Sequence, residues 1–414
     1  MADAREVVIL GGGPAGAGAA LLLTRWGHRV RVITKAGAEH PLAVSVPPSC
    51  AKLFAELGVT DAIERAGFTR STGNTVWWGS TDARVERFAS GAMGWQLDAG
   101  RLAEVILREA VALGAQVERR MVSELPEGFI LDCTGRAGVI ARARNVRRHT
   151  SDLRTIALIA QWRRPQAWPV PDDTHTLIES YSDGWMWSVP VAEGVRHIAA
   201  MVDPQRSGLV RNRSAMHVYR AEIGKTRAFS RLVDGAEMVN GPWGWDASQY
   251  DAREYGGENW LLVGDAASFV DPLSSAGVKK ALASAWLAAI TAHTCLVTPS
   301  MRDHALRFYG DREREIAGHY ARESTRFLAE AAAEHQRGFW EGRSEDLTDV
   351  STDQDAVSRA FERLKAGDRL VARPGPGARI EPRPCVVGHA IVLEPHVTQG
   401  AGDSGVRHVH GVQV

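Results

Sequence analysis

The segment Gly11-x-Gly13-x-x-Gly16 constrains this chain most, because it sits between an apolar run, Val7–Leu10, and an Ala- and Leu-rich stretch, Ala15–Trp26. That context predicts a strand, a tight turn and a helix. The first glycine permits the turn, the second lets backbone approach a pyrophosphate, and the third lets helix and strand pack closely. Pro14 and Ala15 open the helix, whose first N–H groups then face any bound phosphate. A second run, Arg29–Ile33, completes a strand–helix–strand unit and so predicts a doubly wound parallel sheet. Thr34 and Lys35 stand where an acidic residue usually holds ribose hydroxyls. Thr34 can hydrogen-bond a ribose and Lys35 can pair with a phosphate, so this loop alone admits NADP as well as FAD.

The rest of the chain alternates between two textures. A helix over Gly100–Leu113, strands near Val117 and Phe129–Asp132, and the apolar strand Trp260–Val263 extend the α/β pattern. Between them, Thr155–Trp162, Thr174–Tyr181, Trp185–Val191 and Val195–Val202 read as an antiparallel sheet, and Thr75–Gly79 with Arg84–Phe88 as a hairpin. The expected fold is α/β (α+β overall). A discontinuous Rossmann-like cofactor domain takes residues 1–70, 90–150 and 250–300. An antiparallel-sheet substrate domain takes 71–89 and 151–249. Residues 301–414 form a helical region, a Pro/Gly/Arg linker at Pro374–Pro384, and a terminal hairpin of Cys385–Leu393 with Val406–Val414.

With 414 residues, the chain is long enough for two or three domains and a large core. Its 49 Lys+Arg balance 49 Asp+Glu, which removes the electrostatic footprint of a nucleic-acid or anionic-membrane binder. Cys50, Cys133, Cys295 and Cys385 form no C-x-x-C pair. That fits neither a disulfide framework nor a zinc site, and with no visible secretion signal it gives a cytoplasmic expectation. The apolar stretch Ala281–Val297, interrupted by Ser284, Thr291 and His293, reads as a buried helix. The unusual number is 13 Trp against 6 Tyr.

Three further segments carry a resemblance. Asp132-Cys133-Thr134-Gly135-Arg136, Gly264-Asp265-Ala266-Ala267, and Asp271-Pro272-Leu273-Ser274-Ser275-Ala276-Gly277 resemble, in order, the FAD motifs of the para-hydroxybenzoate-hydroxylase-type flavoproteins. The resemblance implies FAD, with Asp265 on the ribityl chain, and Thr134, Gly135, Asp271, Pro272, Ser275 and Gly277 around the cofactor. An Arg common in that group is Ala99 here; Gln96 and Arg101 are both candidates to compensate. Gly184-Trp185-Met186-Trp187-Ser188-Val189-Pro190 resembles the Gly-Trp-x-Trp-x-Ile-Pro motif of the flavin-dependent halogenases and their relatives. Ala43–Ser49, with Val46 and Pro47, resembles the strap of the same group. Such aromatic walls keep water from an activated flavin.

Halogenases place a lysine near the start of the strand after the strap, but that entry reads Ser71-Thr72-Gly73-Asn74-Thr75-Val76-Trp77-Trp78-Gly79, and the only lysine nearby, Lys52, belongs to a helix. The strap, this segment and Glu334–Trp340 resemble instead flavoproteins that mature protein-derived quinone cofactors, including those that form tryptophylquinone. That implies an FAD-dependent monooxygenase using molecular oxygen through a flavin hydroperoxide to hydroxylate an indole ring, most naturally a tryptophan of a partner polypeptide. Reduction comes from NAD(P)H or a separate reductase. Trp185, Trp187, Pro190, Asn74 and His40 are the catalytic candidates, with His40 or Asp271 as base, and Trp77 and Trp78 lining the pocket. Cys50 reads as an inert buried thiol. His389, His396, His408 and His410 of the hairpin, and Arg373, Arg379 and Arg383 before and within it, are candidate partner-docking residues; no metal site is expected. The alternatives are a halogenase or hydroxylase of a small aromatic, a geranylgeranyl-reductase-like enzyme, and a non-catalytic flavin-binding protein.

Overall fold

The computed structural model describes residues 6–35, 42–209, 214–335, 338–343, 379–399 and 407–408. His40, Gln336, Arg337, Arg373 and His410 lie outside the described residues, and the side chains of Arg379, His396 and His408 are not described.

The chain opens with β1 (Glu6–Leu10), α1 (Pro14–Arg25) and β2 (Arg29–Thr34), all as the glycine motif requires. Val7 to Leu10 have no exposure, the signature of a parallel strand covered on both faces. Next come the strap strand β3 (Ala43–Val46), short helices α2 (Ala51–Glu56) and α3 (Thr60–Arg65), and β4 (Thr69–Ser71). The hairpin β5 (Gly73–Trp77) and β6 (Arg84–Arg87) follows, then β7 (Gly94–Asp98), α4 (Ala99–Ala112), β8 (Gln116–Arg119), β9 (Phe129–Asp132) and α5 (Val139–Ala143). A run of strands succeeds them: β10 (Arg147–His149), β11 (Ile156–Arg163), β12 (Thr176–Tyr181), β13 (Gly184–Ala192) and β14 (Val195–Val202). Helices α6 (Ala215–Lys225) and α7 (Ala228–Val233) lead into β15 (Glu237–Asp246), β16 (Tyr250–Ala252), β17 (Gly256–Gly257) and β18 (Trp260–Leu262). Two long helices, α8 (Gly277–Val297) and α9 (Arg302–Glu334), and the hairpin β19 (Arg379–Val387) and β20 (Ala390–Gln399) complete the order.

One sheet has the order β17-β18-β9-β1-β2-β8. Its four central pairings, from β18 to β8, are parallel. The switch between β9 and β2, on either side of β1, leaves a crevice at the strand ends, where such sheets bind dinucleotides. A second sheet has the order β15-β11-β14-β13-β12-β5-β6. It is antiparallel except for β5 against β12, which run parallel because β5 arrives from a distant part of the chain. The strap β3 lies between the sheets and pairs with β7.

Helix α8 is long and apolar enough by composition to cross a bilayer, yet most of it is buried in the core. It packs on α1 so closely that a Cβ on Gly18 would meet Ala285 at 3.4 Å. The terminal hairpin differs from expectation. Gly388 adopts φ 61°, so the chain turns back inside the stretch read as one strand, and β19 starts within the expected linker.

Candidate active site

The cofactor crevice is built from turns whose geometry only glycine allows. Gly11 has φ 99°, and a Cβ there would lie 2.3 Å from the Cys133 carbonyl oxygen; one on Gly16 would lie 1.9 Å from that of Gly11. Gly13 is different: nothing lies within 4 Å of its Cβ position, so open space faces the second glycine. Helix α1 starts there with Pro14 in its first turn, no side-chain cap and no acidic residue in that turn, so its N–H groups face that space unanswered. Thr34 is engaged locally: its Oγ1 accepts the Gly12 N–H at 3.1 Å and so pins the loop. Lys35 is exposed beside it.

On the other side of β1, Asp132 is fully buried and organises the next turn, accepting from the Thr134 amide (3.1 Å), its hydroxyl (2.5 Å) and the Ile140 amide (2.7 Å). Gly135 takes φ 61° in that turn. Beyond β18, Gly264 donates to Ser284 Oγ at 2.9 Å, and the ammonium of Lys280, 1% exposed, donates to the carbonyls of Gly264 (3.1 Å) and Ser268. Asp265 stands 3.4 Å from that ammonium with a third of its side chain exposed. Farther back, Glu313 of α9 is fully buried with neither oxygen hydrogen-bonded among the described residues, and burial pushes its carboxyl up to about 7 against the nearby Lys280 charge. Sequence reasoning passed over Lys280 and Glu313; a lysine within an apolar helix was the available signal.

The turn after β18 continues to Asp271, whose Oδ1 accepts the Leu273 amide (3.0 Å) and whose Oδ2 accepts from Gln249 (3.2 Å). Burial raises its carboxyl above the usual range. Oδ1 thus caps the turn Pro272–Ser274, while Oδ2 ties it to the segment before β16; the turn ends at Ser275 in a left-handed conformation (φ 47°), and Gly277 opens α8. Next to the strap, where it pairs with Ser45, Gln96 of β7 gives its amide N–H groups to Thr174 and Thr176, and among the described residues its Oε1 is left buried without a partner, as is the indole N–H of Trp187. Arg101 faces elsewhere, donating to the Ala66 carbonyl and lying over Phe68. An uncapped helix start, an open second glycine and orphaned polar atoms near the strap fit FAD.

A cavity of about 240 Å³ lies between the strap, the second sheet and the turn that leads into α8. Its wall includes Ser45 and Pro47 of the strap, Asn74, Val76 and Ile178 of the sheet, Leu273, Ser274 and Ser275 of the turn, and Phe327 of α9. Arg84, Glu86 and Phe88 form its rim, with Arg84 Nε 2.7 Å from Glu86 Oε1. No lysine lines it. A larger cleft of about 480 Å³ opens on the sheet's other face, with Trp77 and His335 but no residue of the strap or cofactor turns. The smaller cavity is therefore the candidate site.

The expected site residues divide accordingly. Pro47, Asn74 and Ser275 meet in the cavity; Trp77 points to the opposite cleft, because adjacent strand residues face opposite ways. Trp185 and Trp187 form a layer behind, with Val46 and Pro190 buried nearby in the strap and β13. Trp78 lies edge-on to Trp185 at 6.2 Å and to Trp340 at 5.4 Å. Cys50 is buried, its thiol pushed up to about 12 by desolvation. Two further residues emerge only from the structure. His197, its imidazole held neutral by burial at about 4, accepts the Ala43 N–H of the strap at 3.4 Å. Arg196, fully buried, spans Ser188 Oγ (2.9 Å) and the His175 carbonyl (2.6 Å) and fixes β12 to β13.

Comparison with known proteins adds three findings. A family profile described as an FAD-binding domain matches residues 4–127, and one described as tryptophan halogenase matches residues 88–343. A tryptophan 2-halogenase of Chondromyces crocatus is 26% identical over 353 residues, covering 77% of this chain and 66% of its own length. A flavin-dependent halogenase of Armillaria mellea, armH4, is 25% identical over 421 residues, covering 87% and 76%. Among solved structures, the flavin-dependent halogenase CmlS superposes with a TM-score of 0.81 at 20% identity, over 97% of this chain and 86% of that one. The peptidyl tryptophan dihydroxylase QhpG, described as essential for tryptophylquinone cofactor biogenesis, superposes with a TM-score of 0.66 at 23% identity, over 96% and 87%.

Proposed function

We propose, from the premise that this chain belongs to the tryptophan halogenase family and is an FAD-dependent oxidoreductase, that it hydroxylates an indole ring, that of a tryptophan in a partner polypeptide. The observation that carries this reading is the cavity wall, where Val76, Trp78, Ile178, Leu273 and Phe327 set an apolar, partly aromatic face beside the polar Ser45 and Asn74, with no lysine among the described residues to handle a hypohalous acid. The likeness to a peptidyl tryptophan dihydroxylase is in fold, and agrees with it.

Bound FAD supplies the activation of molecular oxygen. The Gly11–Gly16 turn and the start of α1 would hold its pyrophosphate, Asp265 would meet the ribityl chain, and the strap and the Pro272–Gly277 turn would lie beside the ring. The chain does the rest. Val76, Ile178, Leu273 and Phe327 exclude water and set the indole plane, while Asn74 and Ser45 offer the polar contacts that orient it. Among the described residues Glu86 is the only carboxylate in the cavity wall. It is therefore assigned the proton lost when the hydroxylated ring regains aromaticity.

A second reading, halogenation of a small aromatic, is favoured by the relatives named as halogenases. One experiment separates the two. The enzyme is given FAD, NADH with a flavin reductase, oxygen, and chloride or bromide, with N-acetyltryptophanamide and tryptophan-containing peptides as acceptors. Mass spectrometry is expected to find added oxygen on the indole, unaffected by halide. A halogenated product overturns hydroxylation.

A further inference from the structure

The cavity's rim is also the free edge of the second sheet. Among the described residues β6 is the terminal strand and pairs only with β5. Its register fixes which backbone groups are spent. The Phe88 N–H donates to the Thr72 carbonyl at 2.9 Å, so the alternate pairs Asn74–Glu86 and Val76–Arg84 are the hydrogen-bonded ones. Val85 and Arg87 lie at the intervening positions, and their N–H and C=O groups point away from β5. Among the described residues nothing accepts from or donates to them. Side chains obey the same alternation: Arg84 and Glu86 face the cavity, and Val85 faces away with 43% of its surface exposed.

We propose that a polypeptide substrate docks by adding an extended strand to the open edge of β6, which delivers one of its aromatic side chains over the rim into the cavity. The proposal rests on the polypeptide reading above. An added strand sits about 4.8 Å beyond β6, with its side chains alternating between the two faces of the sheet. Every second residue of the substrate then lies on the cavity face, beside Glu86, and a tryptophan there has the reach to enter. Main-chain bonds to Val85 and Arg87 supply affinity independent of sequence, while the cavity selects the side chain. A free small aromatic gains nothing from the edge, so the two substrate classes respond differently to its loss.

Val85→Pro is the discriminating variant. It removes an outward N–H and leaves the β5–β6 ladder intact, since an edge strand tolerates proline where its N–H faces solvent. The FAD-loaded full chain is tested against a pool of short peptides with a central tryptophan in randomised flanks, and against N-acetyltryptophanamide. The expected result is that Val85→Pro lowers kcat/KM for the peptides by about tenfold, while N-acetyltryptophanamide, which also reports an intact fold, stays within about twofold. Val85→Thr, which keeps the N–H, behaves as the wild type. Equal peptide turnover by Val85→Pro and wild type overturns the docking mode. Amide exchange decides the matter even when no tryptophan probe is oxidised, an outcome that sinks the hydroxylation reading alone. The peptide pool should slow exchange at Val85 and Arg87 in the wild type, and unchanged exchange overturns docking. Slow exchange in the protein by itself also overturns it, because the edge is then already covered by another copy or by the chain's own residues 344–378.

Discussion

The three glycines of the first turn are not equivalent, and single methyl groups tell them apart. Gly16→Ala places a Cβ against the Gly11 carbonyl at 1.9 Å, so the turn must open and the fold suffers. Gly13 has φ −72°, which alanine adopts freely, and no neighbour within 4 Å. Gly13→Ala should therefore melt within a few degrees of the wild type as apoprotein, yet lose about tenfold or more in FAD affinity, because the methyl enters the space needed by pyrophosphate. Flavin-fluorescence titration and thermal unfolding of both variants check this. These positions were legible in the sequence because backbone geometry demands glycine at fixed spacing. Thr34 was legible only as a departure; that its hydroxyl holds Gly12 depends on two strand ends meeting in space.

At the scale of elements, α8 and α9 meet around a buried carboxyl, Glu313, near the Lys280 ammonium, and no local pattern announces it. Glu313 is held above its ordinary value, to about 7, by desolvation. Its sign follows: between the unfolded value near 4.5 and 7 the folded state keeps a proton that the unfolded state releases, so stability falls as pH rises through that window. The loss reaches about 3 kcal/mol above pH 7. Glu313→Gln should flatten this slope and leave the apoprotein more stable than wild type at pH 8, measured by urea unfolding at pH 5 and 8. A steeper loss in the variant would refute the assignment. The element order itself was well read, since β1, β9, β11–β14 and β18 are dense in apolar residues. The terminal hairpin was misplaced by its turn, where Gly388 was the unheeded signal.

Over the whole molecule, the sequence placed tryptophans in quantity around a flavin, and the structure sorts them by layer. Trp78 touches the cavity, Trp185 and Trp340 back it, and Trp77 belongs to the other face. Strand alternation decides this, and a pair of adjacent tryptophans cannot reveal which one points inward. Phe327 was invisible as a site residue because it arrives from α9, distant in sequence from the strap and sheet. Phe327→Ala should leave FAD affinity within about twofold, lower kcat/KM for the aromatic substrate by about tenfold, and release more of the consumed oxygen as hydrogen peroxide as water gains entry. Oxygen-electrode and peroxide assays measure both. Helix α9 also carries Tyr309, whose hydroxyl donates to the Leu262 carbonyl at 2.6 Å, at the end of the strand leading to the cofactor turn. Tyr309 and Phe327 are 18 positions apart on one uninterrupted helix, which sets them roughly 27 Å from each other along its axis. The helix thus works as a gauge rod between cofactor and substrate wall. Lengthening it by one residue would turn Phe327 by about 100° away from the cavity, so its length between those two contacts is as much a part of the site as any side chain.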